Sequence, residues 1–393
     1  MKINTETFKL TEPGAFGRNA LIAGILGLAL SAAGYFVDSK QFFHSYLVAF
    51  AFWTSIGLGG LFFTLLNHLV GAEWSIVLRR ISETIMVALP IMLFFFIPVV
   101  LGFHDLYHWS HKDVVDADPI LKAKAGYLNE PFFIIRTVVY FAIWFVFGRT
   151  LYRMSIKQDG GDQSNNGRMR QISAPGMILF AFTCTYAAFD WLMSLQPHWF
   201  STIFGVWYFA AGLLASLAFI NLFAQVLRRN GVLGEQITVE HYHDLGKLKF
   251  AFTIFWAYIA FSQFFLIWYA NIPEETIFYL HRWEGSWQYV SLLLIFGHLI
   301  LPFLWLIPRA TKRNLPAMAI IGVWLLLMHW VDLYWNVFPN LHEHGFKLSW
   351  MDATTMIGIG GIFLWFMWLR LSANALIPVK DPKLDKSLHF ANP

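Results

Sequence analysis

Eight ionisable side chains lie within or at the rim of long apolar stretches: His68, Glu73, Glu83, Arg136, Asp190, His298, His329 and Asp332. A charge placed in hydrocarbon is costly, so such a group is a functional candidate by default, although many only pair with one another. Carboxylates and imidazoles exchange protons, so the chemistry these residues offer is proton transfer. Arg136 and Asp190 each sit about six residues in from the same end of neighbouring stretches, about 9 Å at 1.5 Å per residue. A pair between them is expected, either as a packing ion pair or as a proton-accepting carboxylate. His329 and Asp332 are three apart and share a helix face, which suits a relay or a hydrogen-bonded structural pair. Glu83 lies one turn beyond Arg79 and Arg80, and with His68 and Glu73 it forms either a salt-bridged rim or the mouth of a proton half-channel. His298, near mid-membrane, and Gln263 on the preceding span could link the two levels through water.

Other chemistries find less to work with. His104, His108 and His111 have i, i+4 and i, i+7 spacing and are flanked by Asp105 and Asp113. Zinc accepts such donors, but the loop reads as water-exposed and no motif frames it, so no metal is assigned. A membrane b-type haem needs two axial ligands at matching depth. His68 and His298 are the only tempting pair and their depths match poorly. The single cysteine, Cys184, excludes an internal disulfide, and a cluster held by about four thiolates in this chain alone. No nucleotide-binding loop, dinucleotide fingerprint or Ser–His–Asp nucleophile pattern is present. No catalytic residue is assigned, and nucleic acid is not an expected partner.

The elements that must position these residues are membrane helices. Of 393 residues, 57% are hydrophobic and only 13% charged, with 40 Phe and 18 Trp, whereas soluble domains carry about 25% charged residues. A span needs roughly 20 apolar residues. Ten candidates follow: 20–37, 43–67, 76–102, 131–151, 174–194, 200–226, 248–270, 286–307, 315–337 and 350–372. The run 76–102, which holds Pro90 and Pro98, is the one most prone to split. The first 19 residues are polar and show no cleavable signal. Twenty-one Lys and Arg fall on one side of this layout, six on the other, and Arg136 within a span. The positive-inside rule then predicts a cytoplasmic N-terminus (1–19) and a cytoplasmic C-terminus. An even number of spans agrees. The inner loop 155–173, rich in Asp, Gly, Ser and Asn, reads as a flexible linker. The small-residue stripes after Trp53 and after Trp207 echo each other and read as helix-packing faces.

Three segments carry a resemblance. Phe189-Asp190-Trp191-Leu192-Met193-Ser194-Leu195-Gln196-Pro197-His198-Trp199-Phe200 and its continuation to Gly205 form one. The run Trp53–Trp74 and the run Arg79-Arg80-Ile81-Ser82-Glu83 are the others. Together with the ten-span layout they resemble the large integral subunits of alternative complex III, within the NrfD/polysulfide-reductase membrane-subunit family. The length and short termini are most similar to the smaller of that complex's two ten-helix paralogues. The resemblance implies an all-α integral membrane protein with two four-helix bundles, 38–194 (spans two to five) and 195–337 (spans six to nine). Spans one (20–37) and ten (within 338–393) would be peripheral. It implies a bacterial inner-membrane respiratory complex with a multihaem cytochrome c subunit, an iron–sulfur subunit, a paralogous ten-helix quinol-binding subunit and other small membrane subunits. Haem c and iron–sulfur clusters would belong to those partners, and none to this chain. A quinone remains possible here, with Asp190 and His198 as candidate ligands. The expected role is scaffold plus proton-conducting half-channels. The alternatives are a freestanding secondary transporter and a purely structural anchor.

Overall fold

The computed structural model describes residues 1–4, 6–162 and 165–392. Among them, ten helices are long and apolar enough to cross a membrane. They are α1 (Phe16–Val37), α2 (Ser39–Val70), α3 (Ile76–Leu101), α4 (Glu130–Gln158), α5 (Asn165–Trp191), α6 (Phe204–Arg229), α7 (Val239–Ala270), α8 (Trp287–Leu306), α9 (Leu315–Val337) and α10 (Trp350–Ser372). The chain is thus an all-α, multi-pass protein. The only strand pairing among the described residues is a short hairpin of Lys2–Ile3 with Leu10–Glu12.

Local sequence sets the helix ends. Asp38 separates α1 from α2, and its carboxylate accepts the Gln41 amide, satisfying one of the amides a helix start leaves without a partner. Gly71 ends α2 with φ of +64°, a conformation that costs glycine nothing. Asn129 caps α4, and Ser349 with Asp352 forms a reciprocal capping box at the start of α10. The expected linker 155–173 is mostly helix instead: α4 runs to Gln158 and α5 begins at Asn165, with Ser155 and Ser173 fully buried. Polar composition misled there because Gln158 donates to the Asn166 side chain and Asn165 to the Met154 carbonyl, so polar side chains tie the α4–α5 hairpin together.

Two helices carry built-in irregularities. Within α3 the chain breaks after Met86 and again at Phe96, each break just ahead of a proline, Pro90 or Pro98. It still crosses once, so the span count stands. In α8, Leu294–Ile300 winds as a π-helix directly before Pro302. Proline has no amide to give the carbonyl four residues back, so the ladder widens there. The indole N–H of Trp324 donates to the Gly297 carbonyl at 2.7 Å.

The first bundle is α2–α5 and the second α6–α9, with α2 and α6 as the two most buried spans, packed on each other at the centre. Their small-residue stripes are the packing faces the sequence suggested. A Cβ on Gly59 would lie 2.3 Å from Ser216, and one on Gly212 would lie 2.8 Å from Ser55. Helices α1 and α10 pair peripherally, with Gly24 and Gly27 against Gly361 and Gly358. After α10 the chain folds back over the end of the bundles that carries both termini, here the terminal face. Leu376 donates its amide to the Phe8 carbonyl, and the Ser387 hydroxyl donates to the Trp74 carbonyl.

Candidate functional site

The ionisable residues sort into three clusters. The first lies at the terminal end of α3. Arg79 bonds Asp381 of the C-terminal tail at 2.7 Å and Gln158 at 2.9 Å, and its Nε lies 3.5 Å from Glu83. Arg80 reaches Glu83 at 3.2 Å and Asp159 at 2.5 Å. Glu83 thus shares a face with both arginines, as its spacing predicts, and is fully buried among them. Burial holds the Asp159 carboxyl above its ordinary range even with Arg80 beside it. Glu73 is separate from this cluster. It lies on the surface, paired with Lys386 and Lys383, which hold its carboxyl below the usual range. The expectation that Glu73 joins an inner branch ending on Glu83 is therefore corrected: the α2–α3 loop turns it outward. His68 lines a neighbouring cavity, and its Nε2 has no protein partner.

The second cluster sits toward the opposite face, between α4 and α5. Asp190 accepts Arg136 Nε and Nη2, both at 2.9 Å, and the Tyr140 hydroxyl at 2.8 Å. The guanidinium also lies 3.8 Å over the Tyr127 ring and 4.3 Å over Phe132. The expected ion pair is present, and Tyr140 completes it. The turn after Asp190 is pinned by the 102–129 loop. Tyr107 donates to the Trp191 carbonyl, Trp109 to the Ser194 carbonyl, and Lys124 to the Pro197 carbonyl. His198 does not approach Asp190. It is half exposed and paired with Asp118 of that loop, which holds the Asp118 carboxyl below its ordinary value. Asp190 and His198 therefore do not form a quinol-binding pair: one is saturated in the interior and the other belongs to the surface. His104, His108 and His111 are not on one helix face either, since a four-residue helical turn ends at Leu106 and a 3-10 turn follows. Among the described residues no group of His, Cys, Asp and Glu is arranged to hold a metal.

The third cluster is inside the second bundle and differs in kind. His298, His329 and Lys249 are fully buried and Asp332 nearly so, and among the described residues no salt bridge engages any of them. His298 sits in the π-helical stretch of α8, stacked on Trp256 of α7 at 3.9 Å, with neither ring nitrogen hydrogen-bonded. His329 Nε2 meets the Ser55 hydroxyl of α2 at 2.7 Å, and that hydroxyl already donates to the Phe52 carbonyl. Nε2 is therefore assigned as the protonated nitrogen, which leaves Nδ1 as an unpartnered acceptor. Asp332 faces the indoles of Trp207 and Trp256, neither of which has a partner in hydrogen-bonding geometry. The expected His329–Asp332 pair is not made. Although on one face, the imidazole reaches across to α2 and the carboxylate turns toward α6 and α7. Gln263 does not bridge to His298 either, because it is held by Ser201 and Tyr279 nearer the opposite face.

Sequence reading missed Lys249, Arg282, Asp159 and Asp381. Lys249 and Arg282 were counted as loop cations. Lys249 is fully buried with no partner for its ammonium, and the signal was its place one residue inside the expected seventh span. Arg282 is also buried, bonded to the Trp335, Asn336 and Phe278 carbonyls, and its burial pushes the guanidinium down to about 9. The fold and these clusters define a ten-helix integral membrane protein with buried ionisable groups in both bundles. No protein-family model matches this chain, and no curated protein matches it.

Proposed function

We propose that this chain is the smaller ten-helix integral subunit (ActF type) of a bacterial quinol:electron-acceptor oxidoreductase of the alternative complex III kind, and that it carries protons rather than electrons. In this reading it lies in the inner membrane with both termini in the cytoplasm. It packs beside a multihaem cytochrome c subunit, an iron–sulfur subunit and a paralogous quinol-binding subunit, which supply the haem c, clusters and quinone site. The resemblance in the Asp190 turn, the Trp53–Trp74 run and the Arg79–Glu83 run supports the assignment.

One observation carries the proton reading. Buried polar atoms without protein partners concentrate in the second bundle: Lys249 Nζ, both His298 nitrogens, His329 Nδ1 and an oxygen of Asp332, with Asn221 and Gln225 on α6. Buried polar groups are almost always satisfied, so an exception calls for an explanation. Ordered water linking them would give one, and would form a path of titratable groups. Their order along the helices runs from Lys249 near the terminal face, through His298 and His329, to Asp332 near the opposite face. Lys249 and Trp256 are separated by about 10 Å of helix rise, a gap for water to span. In the first bundle every buried charge has a counter-charge, which favours a scaffolding role for Glu83, Arg136 and Asp190.

The test has two parts. Mild-detergent capture of the tagged chain from native membranes should bring haem-staining cytochrome c and a larger ten-helix paralogue with it; a chain that comes out alone and colourless overturns the subunit assignment. In the captured complex reconstituted into vesicles, Asp332→Asn should preserve quinol oxidation and lower protons released per electron. An unchanged ratio removes Asp332 from the path.

A further inference from the structure

On the terminal face a cavity of about 230 Å³ opens between the ends of α2 and α3, the first turn of α5 and the C-terminal tail. Its lining is unlike that of a hydrophobic groove. Arg79, Arg170 and Lys383 contribute cations, Asp381 the single carboxylate, and His68 a buried imidazole. Asp381 is already engaged by Arg79. Lys383 donates to the Gly71 carbonyl at 2.8 Å and lies 3.4 Å from Glu73 outside the cavity. Among the described residues, no hydrogen bond or ion pair engages Arg170.

Two further features bear on what would enter. Gly167 lines the cavity in the opening turn of α5, a helix of 27 residues. The leading amides of a helix have no acceptor within it and favour negative charge. A Cβ on Gly167 would meet nothing within 4 Å, so the backbone there is open to close approach. The His68 ring, only 8% exposed, forms part of the cavity wall.

We infer that this cavity binds a phosphate oxyanion, with Arg170 and Lys383 as its charged contacts, the first turn of α5 as its amide contact and His68 as its inner wall. Basic pockets between helices at a membrane surface suit lipid headgroups, and the same chemistry suits a free phosphate ion. The inference does not depend on the respiratory assignment, since it concerns only groups within this chain.

The test uses the full-length purified protein. Native mass spectrometry would follow retention of added phosphatidylglycerol against phosphatidylcholine, and calorimetry would follow inorganic phosphate. The wild type should retain phosphatidylglycerol preferentially, and Arg170→Gln and Lys383→Gln should each weaken retention by about tenfold, the loss of one charge-assisted contact. Arg229→Gln removes a cation outside the cavity and should leave retention unchanged. Arg170 is exposed and unpartnered, so its substitution leaves the fold intact. Lipid retention without phosphate binding assigns a headgroup; phosphate binding with the same variant sensitivity assigns the free ion. If the wild type binds neither better than Arg170→Gln does, the inference is wrong.

Discussion

Asp190→Asn is the perturbation whose cost follows most directly from geometry. The carboxylate accepts three hydrogen bonds, two from Arg136 and one from Tyr140, and is fully buried. An asparagine keeps one acceptor oxygen but sets an amide N–H against a donor of Arg136 or Tyr140. The guanidinium, also buried, then has no counter-charge. Removing one partner of a buried pair costs about 3–5 kcal/mol, a large share of a typical stability. Replacing the whole cluster is a different matter. Arg136→Met with Asp190→Leu removes both charges but orphans the Tyr140 hydroxyl, a penalty of about 1–3 kcal/mol, so Tyr140→Phe completes the swap. The triple variant should be far more stable than Asp190→Asn alone, because residues in one network are not additive. Unfolding in mixed micelles, followed by circular dichroism, measures both. An Asp190→Asn cost below about 1 kcal/mol, against the 3–5 expected, would show that the pair does not hold α4 to α5. Full stability of the triple variant with lost proton coupling would show that the carboxylate does more than pack.

Two further outcomes follow from the geometry. Gly361→Val should detach α1 from α10, since a Cβ there lies 2.4 Å from the Gly24 backbone nitrogen; new protease cleavage near the N-terminus would report it, and Gly126→Ala, where a Cβ meets nothing within 4 Å, should behave as wild type. The Asp118–His198 bond should vanish in acid. His198 lowers the Asp118 carboxyl, so the contribution is full above the ordinary aspartate value of about 3.9 and is lost as pH falls through the lowered folded value. His198→Ala should expose the 112–124 segment to proteolysis at neutral pH, and an unchanged cleavage pattern would show the loop is held by other contacts.

The ten spans were legible because length and apolarity are one-dimensional properties that a bilayer reads directly. So were contacts local to one helix, such as Arg79, Arg80 and Glu83, whose i+3 and i+4 spacing fixes a shared face. The Arg136–Asp190 pair was legible from matched depth on consecutive helices. Partners set by helix rotation or by distant chain were not. His329 turns to Ser55, 274 residues away, rather than to Asp332 three positions on. Asp381, in a tail that reads as a polar terminus, becomes the counter-ion of Arg79. Lys249 reads as a rim cation because hydropathy cannot tell whether a lysine at a helix end snorkels outward or turns into the bundle.

The contrast between the bundles decides where a mobile proton is best sought. A buried ion pair resists protonation change, because neutralising one member strands the other. Glu83 lies between two arginines and Asp190 is held by one, so each is fixed by its neighbours. Among the described residues the second bundle has no such counter-charges at Lys249, His298, His329 and Asp332, so a change of protonation at one of them strands no partner charge. Among the described residues it also holds the one spanning stretch wound as a π-helix, at His298 itself, and such local widenings are frequent at functional sites. The carboxylate and arginine motifs that stand out in the sequence thus fit the half held by ion pairs, while the less conspicuous Lys249 and His298 fall in the half to which the proposed function assigns the proton.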